Sequence, residues 1–481
     1  MKFAVFFKAL TLTLAAFVVL PILACAKVPN DGISSDTTTS GGGTTVADTT
    51  DAQTTAEPES AFASAETRLE ATESVEPIDL MLGMWVTPRP HLMTTQEDAD
   101  ARFAEIKKSG INMVYSFGES SDAALMDRML KAAEKNGVSV MIELWRVADA
   151  STIEANLTLV KQTMGYGSVI GYNMYDEPNA NIYGLLGEQY RRIRETVGED
   201  KLIMCNLFPN YAKDSQLGIS SGKDGMTAYQ VYIDRFMSEV RSDVLSFDYY
   251  PFKASSNDDQ GKIRDMLINF SDIALCAQKY DVPAWGFVQN SSWSGTRIPN
   301  DNELRWLSHF HLIFGLQSYS YFLYSQPSDV AGGEGIFEGM LTYGGERTEI
   351  YDRVKANNEA LSGLRGRFLD YTLKGFNVDK MSSYYERYIA EQLKLESFGT
   401  LVSVESKYGL LVGCFENEEG VAYYVMNFNY HLDNTATLNF SESADVTVWG
   451  ADGIEQMGNT PTLELQLLPG EGKFVEMKIY N

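Results

Sequence analysis

The sequence predicts a parallel (β/α)₈ barrel, an α/β fold of the TIM type, followed by a small antiparallel β-sandwich domain. Three observations carry this. Eight short apolar runs alternate with amphipathic stretches between residues 77 and 369, no tight hairpin signal joins two neighbouring runs, and from about Asp370 the pattern changes to short alternating segments separated by polar turns. A barrel of this kind exposes its functional residues at the C-terminal ends of its strands.

The first strand is read as Met81–Thr87, followed by a helical period over Asp98–Ser109. Ile111–Phe117 is the second, backed by a helix from Ala123 to Asn136 that Gly137 terminates. The third to sixth are Val138–Trp145, Val169–Tyr175, Leu202–Phe208 and Val244–Tyr249, and the last two are Ala284–Val288 and Ser318–Tyr324. Glu349–Leu369 reads as a closing helix. Beyond it, Tyr408–Phe415, Val421–Asn427, Ala436–Phe440, Val446–Trp449, Leu463–Leu467 and Lys473–Ile479 read as strands of the second domain, residues 370–481. An open doubly wound sheet is the alternative fold, but no glycine-rich first turn supports a nucleotide-binding version.

The N-terminus gives an address. Lys2 and Lys8 lead into an apolar segment that ends Ile22-Leu23-Ala24-Cys25, the pattern of a bacterial lipobox. Residues 1–24 are therefore expected to be a signal peptide and Cys25 the lipidated first residue of an exported, membrane-anchored, cell-surface protein. Residues 25–76 are Thr, Ser, Gly, Ala and acids with almost nothing large and apolar, the composition of a disordered tether. A formal charge of −26 excludes a phosphate-backbone partner, so no nucleic acid is expected; a neutral oligo- or polysaccharide fits the charge. The other cysteines, Cys205, Cys276 and Cys414, lie far apart in apolar runs and read as buried thiols. The four histidines include no H-E-x-x-H pair, so neither metal nor cofactor is called for. Oligomeric state is not encoded in any readable way.

On a barrel, the strand tips bring Trp85, Glu119, Glu143, Trp145, Asp176, Glu177, Asn206, Asp248, Tyr249, Tyr250, Trp285, Gln289, Tyr319, Tyr321 and Tyr324 toward one cleft, with Trp293 on a following loop. Rings stack on sugar faces while carboxylates and amides bind hydroxyls, so the mixture suits carbohydrate. Strand alternation allows only part of this set to face inward. Glycoside hydrolysis needs a proton-donating acid and a second carboxylate that attacks the sugar or activates water. Asp176 and Glu177 could otherwise cap the helix that follows them.

The phrase VIGYNMYDEP at Val169–Pro178 ends in Asp176-Glu177-Pro178 and resembles the Asn-Glu-Pro at the end of the fourth strand in the large clan of retaining (β/α)₈ glycosidases, with Asp in place of Asn. Glu303–Tyr324 is similar to the corresponding end of galactosidase-like barrels, and the resemblance spans about Leu82 to Leu369. It implies that Glu177 is the acid/base. It also implies a Glu nucleophile at the tip of strand seven, where this chain has Gln289, and an amide cannot serve. The second carboxylate is then Asp248, the first choice, or Glu143 or Glu119. Trp85, Trp145, Asp176, Asn206, Tyr250, Trp285, Gln289, Trp293 and Tyr319 are the expected substrate contacts. Gln289 equally suits a noncatalytic glycan-binding lipoprotein on a degenerate barrel.

Overall fold

A computed structural model describes residues 80–478 apart from 118, 255–258, 294, 333–334, 365 and 378–382. Residues 1–24 and 25–76, expected to be signal peptide and tether, lie outside the described residues together with Cys25.

Eight strands form one parallel sheet: β1 (Met81–Met84), β2 (Met113–Tyr115), β3 (Ser139–Glu143), β4 (Val169–Asp176), β5 (Leu202–Leu207), β6 (Leu245–Asp248), β7 (Ala284–Gln289) and β8 (Ser318–Phe322). Their order runs β1-β8-β7-β6-β5-β4-β3-β2, so the sheet curls until its two ends meet. A regular ladder does not join β1 to β2. Instead, Asn112 bridges the seam: its backbone amide donates to Leu82 O at 3.0 Å, its side-chain Nδ2 to Leu80 O at 3.0 Å, and its Oδ1 accepts from Leu82 N at 2.8 Å. A carboxamide carries one donor and one acceptor in the spacing of a peptide group, so it closes the barrel where backbone pairing stops.

The helices behind the strands are α1 (Gln96–Lys108), α2 (Ala123–Asn136), α3 (Ala150–Thr163), α4 (Tyr183–Val197), α5 (Asp214–Leu217), α6 (Ala228–Glu239), α7 (Asp259–Tyr280), α8 (Asp301–Ile313) and α9 (Glu349–Ala360). Their starts and stops follow local chemistry. Thr95, Thr227 and Asn300 make reciprocal capping boxes with Asp98, Gln230 and Glu303, and Gly137 ends α2 in the left-handed region at φ 61°. The expected closing helix is shorter than read: after Ala360 the chain breaks into the 3₁₀ turns Leu361–Gly363 and Arg367–Asp370.

Side-chain alternation divides the barrel into two cores. Trp285 and Phe287 of β7 face inward with Met113, Tyr115, Met141 and Met204, while Ala284 and Val288 face the helix layer. The interior is thus filled rather than hollow, as this fold requires.

The second domain is an antiparallel sheet of β9 (Thr372–Asn377), β10 (Leu401–Ser406), β11 (Leu410–Asn417), β12 (Gly420–Asn427), β13 (Asn434–Gly450), β14 (Gly453–Leu467) and β15 (Gly472–Lys478), in the order β10-β13-β15-β12-β11-β9 with β14 along β13. Two segments read separately from sequence, Ala436–Phe440 and Val446–Trp449, are one strand: the register shifts between Asn439 and Ala444, and β13 pairs with β10 before the shift and β15 after it. Glu476 ties this sheet to the end of the barrel. It accepts from Tyr371 Oη at 2.8 Å, from Trp449 Nε1 at 2.6 Å and from Arg367 Nε at 2.5 Å.

Candidate functional site

The C-terminal mouth of the barrel gathers four carboxylates: Glu143 from β3, Asp176 from β4 with Glu177 just beyond it, and Asp248 from β6. A β-bulge decides which acids face inward. Asn173 pairs with Met204 but Asp176 pairs with Asn206, so β4 advances three residues against two on β5. The extra residue puts Asp176 in phase with inward-facing Asn206 and turns Tyr175 outward, where Arg146 lies over its ring at 4.9 Å.

Glu177 follows at φ 55°, a conformation costing a non-glycine residue about 1 kcal/mol or more, and its amide is fixed to Asn206 O at 2.8 Å. Val86, above β1, is likewise held at φ 64°. Neither Asp176 nor Glu177 caps the following helix. Asn179 caps the 3₁₀ turn Ala180–Ile182 that leads into α4, its side chain accepting from Asn181 N at 3.0 Å.

Polar contacts around the acids are few. Ser246 Oγ donates to Asn206 Oδ1 at 3.0 Å, and Asn206 Nδ2 donates to Asp176 Oδ1 at 3.3 Å. Arg146 reaches Asp176 at 3.7 Å. Glu143 Oε2 accepts from Asn173 Nδ2 at 2.8 Å. Asp248 Oδ1 is buried without a partner. Burial, and secondarily the charge of Asp176, push both Glu143 and Asp248 well above the usual carboxylate range; Asp176 is raised too, by burial, against the pull of Arg146 and Asn206. Acids whose proton affinity is raised in this way can donate protons, and any that are ionised can take them up.

Aromatic residues form the wall beside Asp248. Tyr250 meets Trp293 edge-on at 5.1 Å and Phe322 at 5.3 Å, and Trp293 stacks on Phe337 at 6.0 Å with 18° between planes. The loops carrying Tyr250 and Trp293 are zipped together: Ala254 N donates to Gly295 O at 2.9 Å and Arg297 N to Phe252 O at 3.3 Å. On the opposite side, half-buried Trp145 is positioned by Asn156, which accepts from its amide at 2.9 Å and donates to its carbonyl at 2.8 Å.

Several expected contacts lie elsewhere. Tyr319 is fully buried in the layer between barrel and helices, beside His311 and Tyr321, because β8 presents its serines inward. Tyr321, Tyr324 and Tyr249 share that outer layer. Trp285 enters β7 four residues below Gln289 and plugs the interior with Tyr115 and Phe287, and Trp85 packs on the same two rings. Gln289 is fully buried and its amide is consumed by the main chain. Oε1 accepts from Phe252 N at 3.0 Å, and Nε2 donates to the carbonyls of Phe252 and Arg297, both at 2.9 Å. The expectation that Gln289, Tyr319 and Trp285 contact substrate is therefore corrected. The site gains Asn173, which no motif marked.

Glu119 is also withdrawn from the cleft. It is fully buried, accepting from Thr87 Oγ1 and Phe117 N, and burial raises it to about 7 against those donors and Arg89. The folded state therefore binds a proton that the unfolded chain releases near pH 4.5, so this contribution to stability is full below that pH and is lost as pH rises through about 7. Glu119→Gln keeps an acceptor for Phe117 and offers Thr87 a donor. It is expected to match the parent at pH 5 and exceed it at pH 8 by up to about 3 kcal/mol in urea unfolding.

Cys205, Cys276 and Cys414 are free, buried thiols. Among the described residues no group of three or more His, Cys, Asp or Glu is arranged to hold a metal, and no helix is long and apolar enough to cross a membrane.

No family model and no curated protein matches the sequence. Solved structures with a similar course include a β-galactosidase from Rahnella sp. R3 (10% identity, 84% of this chain and 99% of that one, TM-score 0.49). A family 39 glycoside hydrolase from Bacteroides cellulosilyticus WH2 aligns at 13% identity over 83% and 81% with TM-score 0.47. A family 51 α-L-arabinofuranosidase from Bifidobacterium longum aligns at 10% over 84% and 97% with TM-score 0.45. At these scores the likenesses assign neither family nor activity, and the case for function rests on the residues at the barrel mouth.

Proposed function

We propose that this chain hydrolyses O-glycosidic bonds of an oligo- or polysaccharide, with Glu177 as proton donor and Asp248 as the second carboxylate, Glu143 being the alternative for the second role. The observation that supports it most is the convergence of buried Asp248 with half-buried Glu143 and Asp176 at the C-terminal mouth of a parallel barrel, beside the Tyr250–Trp293 aromatic wall. Asp176 and Asn206 bind and orient the ligand, and Trp145 and Trp293 supply stacking faces on opposite flanks. Export and a lipid anchor at Cys25, with residues 25–76 as tether and the barrel beginning near residue 77, belong to the same proposal.

A noncatalytic glycan receptor is the second reading. It is favoured by one observation, the commitment of Gln289 to the backbone at the position where the resemblance implies a nucleophile. Incubating the full chain with a broad panel of bacterial, plant and host glycans, with mass spectrometry of the products, separates the two. Cleavage is the expected result, and measurable binding with every glycan left intact would replace the enzyme by the receptor.

A further inference from the structure

With Asp248 as the second carboxylate the proposed reaction leaves Glu143 without a task, yet this acid is held half-buried among other acids. Its surroundings are rich in acceptors and poor in donors. Glu143 and Asn173 are neighbours across the β3–β4 ladder, and Asp176 stands above them on the same strand. Asn173 is fully buried; its Nδ2 is spent on Glu143, and its Oδ1 has no partner. Asp248, more than nine-tenths buried on the far side of Asp176, likewise leaves Oδ1 unpartnered. Donors that enter this group are the Asn173 and Asn206 amides, the Tyr250 hydroxyl on Asp248, and the exposed Arg146 guanidinium 3.7 Å from Asp176.

A buried acceptor without a donor costs about 1–3 kcal/mol, and like charges held together cost more. A ligand that supplied donors and positive charge would relieve both. A sugar hydroxyl adds an acceptor with each donor it brings, whereas an ammonium brings three donors and no acceptor. The carboxylates are not arranged to ligate a metal ion, but an ammonium is satisfied by acceptors at hydrogen-bond length.

We propose that Glu143, the Asn173 carboxamide oxygen and Asp176 form a seat for a free amine on the substrate, so that the cleft selects glycans containing un-acetylated amino sugars. The neutral glycan expected from overall charge is replaced by a cationic one. The proposal rests on the glycosidase reading of the same cleft and assigns its substrate class. An acetylated nitrogen would be excluded twice over: it carries no charge, and its carbonyl adds an acceptor where acceptors are already in excess. Desolvation first, and the charge of Asp176 second, hold the Glu143 carboxyl well above the usual carboxylate range, and a bound cation would offset the second of these.

The test uses the full chain carrying Glu177→Gln to prevent turnover, titrated calorimetrically with methyl glycosides of glucosamine, galactosamine and mannosamine. Each is compared with its N-acetyl form and its parent hexose. At least one amine is expected to bind tenfold or more tightly than both counterparts, a difference of about 1.4 kcal/mol. Adding Glu143→Gln, or Asp176→Asn should the first variant misfold, is expected to abolish that preference, bringing the amine down to the affinity of its parent hexose measured on the same variant. This loss separates the seat from general attraction of amines to an acidic protein. Equal or tighter binding of the acetylated or neutral forms would overturn the amine seat and leave the glycosidase reading standing. An amine preference that survives both substitutions would overturn the seat as well. Binding of none of the sugars would remove the glycan reading itself, and the amine seat with it.

Discussion

Glu177→Gln is expected to lower turnover of substrates with poor leaving groups by about 10²–10⁴-fold while leaving the fold intact. The amide fills the same space and tolerates the same φ of 55°, and the tie from its backbone N to Asn206 O does not involve the side chain. What is lost is the proton delivered to the departing oxygen. Substrates whose leaving group departs as a stable anion need that proton less, so an activated aryl glycoside should be cut nearly as well as before in the bond-breaking step. A uniform loss across leaving groups would point to a binding role, and near-normal turnover of a natural glycan would sink the assignment. Asp248→Asn separates the remaining roles: a comparable loss is expected for every leaving group, and a mild one would transfer the second role to Glu143.

Gln289→Glu is expected to damage the protein rather than restore a nucleophile. The carboxamide meets one backbone donor and two backbone carbonyls. A carboxylate can satisfy the amide of Phe252, but it turns its other oxygen on the carbonyls of Phe252 and Arg297. If protonated it recovers one of those two bonds; if ionised it recovers neither and is a buried unpaired charge. The expected loss is about 2–4 kcal/mol in chemical denaturation. Because burial would raise the folded-state pKa of the introduced acid, the loss should deepen as pH rises through that pKa. No covalent glycosyl adduct is expected by intact mass. A variant as stable as the parent that forms such an adduct would show that this position is a dormant nucleophile rather than a staple.

The strand positions were legible because each is a short apolar run with a polar tip, and eight of them without hairpin turns leave few other folds. Asp248 and Asn206 were placed in the mouth for the same reason. What could not be read was phase. Tyr319 and Tyr321 look like cleft aromatics, but β8 is inward at Ser318 and Ser320, and nothing in SYSYF says which set turns in until the neighbouring strands are fixed. Gln289 does lie in the inward phase, yet its partners come from two loops 37 and 8 residues away. Asn173 and Asn112 were passed over because a single Asn inside an apolar strand has no motif. Their importance comes from which backbone or carboxylate they meet across the barrel. The bulge in β4 left no local sign either, since Met174 and Tyr175 continue the apolar run.

That bulge makes the choice of acid a matter of strand length rather than side-chain identity. Shortening β4 by one residue between Asn173 and Asp176 would restore even pairing with β5. Asp176 would still stand opposite Asn206, so such a deletion removes the bulge and leaves the acid turned inward. With both intervening residues kept and the bulge ironed out, regular alternation would turn Asp176 to the helix layer with no acid replaced. Paired length variants of β4 can thus probe the orientation of this carboxylate independently of its chemistry.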